Sequence, residues 1–152
     1  MKCYQLIGVP ASGKSTWVSN QDWAVDIPVV STDSFVEAYA KEQGKTYSEV
    51  FEEYMPIAVR LMANQALICQ ANGLDVIWDQ TSTTAVSRLR KFNTLPDYEH
   101  IAIVFKTPEP DELARRLASR PGKTIPVHVV QSMIDNFEMP TEEEGFKEIW
   151  YV

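Results

Sequence analysis

The sequence predicts an α/β fold: about five parallel strands with helices on both faces and a small helical lid. Three observations predict it. Short apolar runs recur at 3–7, 27–31, 74–82, 100–106 and 146–152, and segments of helical length fall between them. A glycine loop, Gly8 to Thr16, follows the first run and precedes a helical pattern. The alternation then continues to the last run with no repeat, low-complexity stretch or linker. Strands that alternate with helices are joined by crossovers, and crossovers make a parallel sheet covered on both faces.

Each element has its own signal. CYQLI at 3–7 reads as a buried strand ending at Gly8, and 17–23 as the helix beyond the loop. IPVVS at 27–31 is a second buried strand, and Thr32 and Asp33 open the next helix. Thr46 and Glu49 form a capping box, each side chain placed to satisfy a backbone donor, so a long helix runs on to Asn72. Pro56 lacks an amide hydrogen and should interrupt or kink that helix, and Gly73 stands at its C′ position. LDVIWDQTS at 74–82 is the third strand and carries an acid, Asp79, at its C-terminal end. HIAIVFK at 100–106 and FKEIWYV at 146–152 complete the sheet, and helices at about 84–94, 109–119 and 126–138 lie between the strands. PTEEEG at 140–145 reads as a solvated acidic turn.

Composition bounds the function. A chain of 152 residues, 45% of them apolar, has room for one domain with a hydrophobic core, taken as residues 1–152. No apolar run approaches the roughly 18 residues of a spanning helix, and no charged-then-apolar leader opens the chain, so a cytoplasmic location and no membrane partner are expected. Cys3 and Cys69 lie far apart without a CxxC and read as two buried free thiols. A formal net charge of −7 argues against a large basic surface tracking a nucleic-acid backbone. The cations cluster instead as Arg88, Arg90 and Lys91, and as Arg115, Arg116, Arg120 and Lys123.

The glycine loop carries the firmest chemistry. Gly8-Val9-Pro10-Ala11-Ser12-Gly13-Lys14-Ser15 satisfies GxxxxGK[ST] between a strand and a helix, which makes the predicted fold a P-loop NTPase. Such a loop curls so that backbone N–H groups face phosphate oxygens at a helix N-terminus. Gly8, Ala11, Ser12, Gly13, Lys14, Ser15 and Thr16 are therefore the expected ATP cradle, with Lys14 on the β and γ phosphates and Ser15 on Mg²⁺.

A switch or motor needs a water-positioning residue, whereas a kinase needs a base for an acceptor hydroxyl and cations over the transferring phosphoryl group. The chain offers the second set. In a doubly wound sheet, ligands gather at the C-terminal strand ends, so Asp33 and Asp79 should face the loop. Asp33 could act as the base or cap a helix, and the two roles are compatible. Asp79 could position an acceptor or contact Mg²⁺ from the outer sphere. Asp111 and Glu112 stand four residues before Arg115 and Arg116 and should pair with them as surface ion pairs. Arg120 has no such partner. It sits where Pro121 and Gly122 break one helix and Pro126 suits the start of the next, the form of a phosphate-covering lid over about 115–138.

Taken in order, GVPASGKST, STDSF, IWDQTS, SRLRKF and ASRPGKTIPVHVVQSM resemble the kinase domain of phage-type polynucleotide 5′-hydroxyl kinases, over residues 3–138. The resemblance implies Asp33 as general base, Lys14 and Arg120 as the cations on the phosphoryl group, and Ser15 on Mg²⁺. It also implies Asp79, Gln80, Thr81, Arg88 and Arg90 at the acceptor site, although the two arginine side chains could equally be solvated or pack over the sheet. The sequence departs from the phage enzymes at Val36, where they carry an acceptor-gripping arginine three residues after the base. The expected reaction is transfer of the ATP γ-phosphate to the 5′-hydroxyl of RNA or DNA. A nucleoside, nucleotide or sugar is the alternative acceptor, and an ATP-binding module without transfer is the reading from another class.

Overall fold

The computed structural model describes residues 1–152. Five strands, β1 (Lys2–Ile7), β2 (Val29–Val30), β3 (Val76–Asp79), β4 (Glu99–Val104) and β5 (Glu148–Tyr151), are parallel throughout and lie in the order β2-β3-β1-β4-β5. Six helices connect them: α1 (Lys14–Ser19), α2 (Asp33–Gln43), α3 (Tyr47–Ala71), α4 (Ala85–Thr94), α5 (Pro110–Ala118) and α6 (Val127–Asp135). This is the five-stranded parallel P-loop architecture that the alternation of elements and the glycine loop predict.

The order has a consequence for the site. From β1 the chain leaves toward β2 on one side, and from β3 it crosses to β4 on the other, so β1 and β3 end at a topological switch point. Leu6 pairs with Asp79 in that register, and the Gly8 N–H donates to the Thr81 carbonyl at 2.9 Å. The glycine loop and the Asp79 segment are thus fixed side by side.

Burial follows the pleat. Cys3, Val30, Val76 and Trp78 face one side, where Met62, Ala66 and Cys69 of α3 cover them with Leu95 and Tyr98. Tyr4, Leu6, Ile77, Ile101 and Ile103 face the other, against Ala24, Phe105 and the partly buried Trp17 and Trp150. Both cysteines are free and buried.

Helix α3 forms as its caps require: Thr46 Oγ1 accepts from the Glu49 N–H at 3.3 Å and Glu49 Oε1 from the Thr46 N–H at 2.9 Å. Gly73 follows its end at φ 67°, in the left-handed region. Pro56 does not break it. The helix runs 25 residues through Pro56, and Pro56 and the Glu52 whose carbonyl it leaves unpaired are both exposed, so water can take the lost bond.

Of the placements open to the basic run of α4, Arg88 packs inward and Arg90 is solvated. Arg88 is fully buried; its Nε and Nη2 donate to Glu144 Oε1 and Oε2 at 2.8 and 3.1 Å, and its Nη1 to the Ser82 carbonyl at 3.0 Å. Expected on the acceptor side, Arg88 instead ties α4 to the 3₁₀ turn Glu142–Glu144. That turn is correspondingly more than a solvated connection. Lys91, three residues on, is also buried, with Nζ donating to the Ser87 carbonyl at 3.1 Å and lying 5.6 Å from the centre of the Trp78 ring. Only Arg90 of the three is exposed.

Removing the arginine takes two charge-assisted bonds from Glu144, whose side chain is only partly buried, which costs about 1.5–3 kcal/mol. Arg88→Ala is therefore expected to lower the unfolding free energy by about that amount, and Arg90→Ala by less than about 0.5 kcal/mol. Urea unfolding of the two variants beside the parent checks the contrast.

Candidate functional site

The loop between β1 and α1 adopts its curl through two residues with positive φ, Ala11 at 63° and Gly13 at 95°. Gly8 is required for a different reason: a Cβ there would stand 2.6 Å from Ser12 Oγ and 3.0 Å from Phe105 Cβ. Ser12 Oγ is itself buried without a hydrogen-bond partner.

Lys14, the first residue of α1, turns back over the loop, and its Nζ donates to the Gly8 and Val9 carbonyls at 3.0 Å each. Burial pulls its pKa down from the ordinary lysine value to about 8, against the attraction of Asp79 and Asp33, while nearby Arg120 lowers it further. Ser15 donates to Asp79 Oδ2 at 3.4 Å. Burial raises the Asp79 pKa and Lys14 opposes the rise, so the two charges hold each other in a site that would favour neither alone.

Asp33 opens α2, but Thr32 occupies the N-cap position and the Asp33 carboxylate makes no cap. It accepts instead from the Tyr47 hydroxyl, 2.6 Å from Oδ1. Tyr47 is a site residue that the sequence did not reveal. It is adjacent to a recognisable capping residue, yet nothing in a separation of 14 residues signals that the starts of α2 and α3 converge.

Arg120 lies between α5 and α6, and its Nη1 is buried without a partner. It lowers the pKa of both Lys14 and Tyr47, so its charge reaches the loop lysine and the tyrosine that bonds Asp33. The segment after it is docked on α2 and α3. Lys123 pairs with Glu37 and sits 4.8 Å from the centre of the Tyr47 ring, the Ser48 N–H donates to the Gly122 carbonyl at 3.0 Å, and the Thr124 N–H donates to Ser48 Oγ at 2.7 Å.

Two expectations about α5 change. Arg115 and Arg116 both bond Glu112, at 2.5 to 2.9 Å, rather than taking one acid each. Arg116 also donates from Nη1 to the Ala11 carbonyl at 3.1 Å, so this residue, expected to be a surface pair only, braces the loop. Beside that brace lies a cleft of about 410 Å³ whose lining includes Ser12, Gly13, Trp17, Thr107 and Arg116.

The structure thus brings Gly8, Ala11, Ser12, Gly13, Lys14, Ser15, Asp33, Asp79 and Arg120 to one end of the sheet. Thr16 is exposed on α1, Thr81 is bonded to the loop through its carbonyl, and Gln80 Oε1 accepts from Trp78 Nε1 at 3.2 Å. Arg88 is withdrawn. Val36 is fully buried against Ala40, Val50 and Ala58, so that position packs α2 on α3 and does not face the site.

The donor set fits a magnesium nucleotide. Two buried donors, Ser12 Oγ and Arg120 Nη1, lack partners within the chain, and Ser15 and Asp79 offer hard oxygen atoms. No group of three or more His, Cys, Asp or Glu could hold a metal by itself. No helix is long and apolar enough to cross a membrane.

The comparisons agree with this fold. The AAA domain family matches residues 5–140, and the chain belongs to it. No curated protein matches. Among solved structures, a candidate kinase from Chloroflexus aurantiacus J-10-fl superposes with a TM-score of 0.72 at 18% identity, over 99% of this chain and 84% of that one. A gluconokinase from Sinorhizobium meliloti 1021 gives 0.54 at 18%, over 99% and 81%. A chain of the Pnkp1/Rnl/Hen1 RNA repair complex gives 0.68 at 23%, over 89% of this chain but only 43% of that one.

With Lys14 losing its proton near pH 8 in the free protein, a bound polyanion should raise its pKa and draw a proton in. ATP affinity is therefore expected to fall as pH rises through about 8, with net proton uptake on binding just above it. Calorimetry in buffers of different ionisation heat at pH 7 and above 8 measures both.

Proposed function

We propose that this member of the AAA domain family is an ATP-dependent kinase that transfers the γ-phosphoryl group to a hydroxyl. The observation that carries the reading is the Asp33 carboxylate, held by Tyr47 beside the loop lysine and close enough to raise its pKa. A kinase needs a carboxylate there as base for an acceptor hydroxyl, with cations such as Lys14 and Arg120 over the phosphoryl group, whereas an ATP switch needs only a residue that positions water.

In the proposed reaction the Asp33 carboxylate accepts the proton of the acceptor hydroxyl as its oxygen bonds the γ-phosphorus. The bond from that phosphorus to the β,γ-bridging oxygen breaks, and ADP leaves with the electron pair. Lys14 and Arg120 are the cations placed to offset negative charge on the transferring group, in a partly buried setting that strengthens them. The loop N–H groups and Arg116, through Ala11, keep the cradle in shape. Ser15, with Asp79 behind it, would hold magnesium, which would supply charge neutralisation to the phosphates when bound. Gln80 and Thr81 border the acceptor side.

The geometry favours a small alcohol, a nucleoside or a sugar, as acceptor. A strand of nucleic acid needs cations near the base to hold its phosphates. Arg88 is buried on Glu144, Lys123 is paired with Glu37 and Val36 is in the core, so none of these three positions offers a free cation to an acceptor strand, and Arg120 is assigned to the donor. The 5′-hydroxyl of RNA or DNA is the second reading. The ordered motifs of the sequence support it, as does the likeness of fold to a chain of an RNA repair complex.

Incubation with γ-labelled ATP, magnesium and a panel of nucleosides, nucleoside monophosphates, sugars, 5′-hydroxyl oligonucleotides and water separates these readings. Label on a nucleoside or sugar is expected. Label confined to oligonucleotide ends transfers the assignment to the second reading, and free phosphate alone overturns kinase activity. Asp33→Asn should lose transfer by about 10²-fold or more with ATP affinity within about threefold of the parent, and retained transfer removes Asp33 as the base.

A further inference from the structure

The Asp33 carboxylate and the lid are joined by one chain of contacts, and the joint is Tyr47. Tyr47 is the first residue of α3, and its hydroxyl donates to Asp33 Oδ1 at 2.6 Å. The ammonium of Lys123, from the lid, covers its ring at 4.8 Å from the centre, and Lys123 is ion-paired to Glu37 on α2, the helix that Asp33 begins. Ser48, next to Tyr47, bonds the lid three times: its N–H donates to the Gly122 carbonyl, its hydroxyl oxygen accepts from the Thr124 N–H, and its hydroxyl donates to the Thr124 carbonyl at 3.5 Å. Phe51 also neighbours the ring, 5.7 Å away between centroids, and the ring packs on the cluster of Val36, Ala40, Val50 and Ala58.

We infer that Tyr47 is the positioning residue for the base and that lid docking sets it, so that closing Arg120–Thr124 onto α3 and aligning the Asp33 carboxylate are one event. The inference rests on the assignment of Asp33 as base. A carboxylate can rotate about its Cβ–Cγ bond, and a bond to Oδ1 fixes the plane and reserves Oδ2 for the acceptor's proton. The hydroxyl can serve as a permanent donor because burial and the Asp33 bond both raise its pKa well above the tyrosine range. Lys123 supplies the coupling: it is attracted to the face of the Tyr47 ring and to Glu37 together, which draws the starts of α2 and α3 and the lid into one arrangement. A lid that is open lacks this clamp, and an ATP bound under it meets a base that is not yet oriented.

The test uses the whole chain and two conservative variants. Tyr47→Phe keeps the ring under Lys123 and deletes only the donor, and Lys123→Met keeps the stem and deletes the charge. With the panel's acceptors pooled, Tyr47→Phe should lower kcat about tenfold with the KM for ATP within about twofold, and Lys123→Met should lower kcat about three- to tenfold. The double variant should fall no further than the lower single variant, since both act through the orientation of one carboxylate. A second readout needs no acceptor. In protein labelled at the tyrosine Cζ carbon, the resonance that Tyr47→Phe removes should shift in Asp33→Asn and again in Lys123→Met. Parent-like kcat in Tyr47→Phe, losses that multiply in the double variant, or a Tyr47 resonance indifferent to Lys123→Met each overturns the inference. Failure of the base assignment is distinct, because it shows as retained transfer in Asp33→Asn. If no acceptor in the pool takes label, the resonance decides.

Discussion

A half-buried lysine at the end of two parallel strands governs this structure. Lys14 is held by the carbonyls of Gly8 and Val9 and by the opposing charges of Asp79 and Asp33. A cation in such a place is tolerated only if acidic groups are brought to it from elsewhere in the chain. The sheet order does that. By setting β3 beside β1 with Asp79 opposite Leu6, it supplies one carboxylate in fixed register, and β2, one strand further out, delivers the start of α2 with the other.

The loop around that lysine is braced from two directions. On one side the Thr81 carbonyl takes the Gly8 N–H, and on the other Arg116 reaches the Ala11 carbonyl from α5. The braces matter because a curl with positive φ at Ala11, a residue with a Cβ, is a conformation the surroundings must impose. Arg116 lies on α5, so that helix both supports the cradle and leads into the segment docked on α3.

What could be read from the sequence was local. The glycine loop, the capping box at Thr46 and Glu49, the stop at Gly73 and the acid ending the third strand all declare themselves within a few residues, because the chemistry that fixes them acts over one turn or one loop. What escaped depends on partners far apart. Arg88 meets Glu144 across 56 positions, and Arg116 meets Ala11 across 105. In α4 the helical spacing of Arg88 and Lys91 sends both inward, although a basic run reads as a solvated or ligand-binding face. The same limit applies to Val36, whose sequence offset from Asp33 fits a gripping residue but whose side of α2 faces α3.

The edges of the sheet carry a separate implication. β2 is two residues long and β5 four, with Glu148 at the start of β5 and the ion pair of Lys147 with Glu99 beside it. Edges so brief, one of them flanked by charge, make poor templates for a foreign strand, which needs a run of unpaired backbone groups to add to. Intermolecular sheet extension, the usual hazard of an open parallel sheet, has little to grip here. Any macromolecule that recognises this chain must therefore do so through side chains on helices and loops, where sequence can tune the encounter.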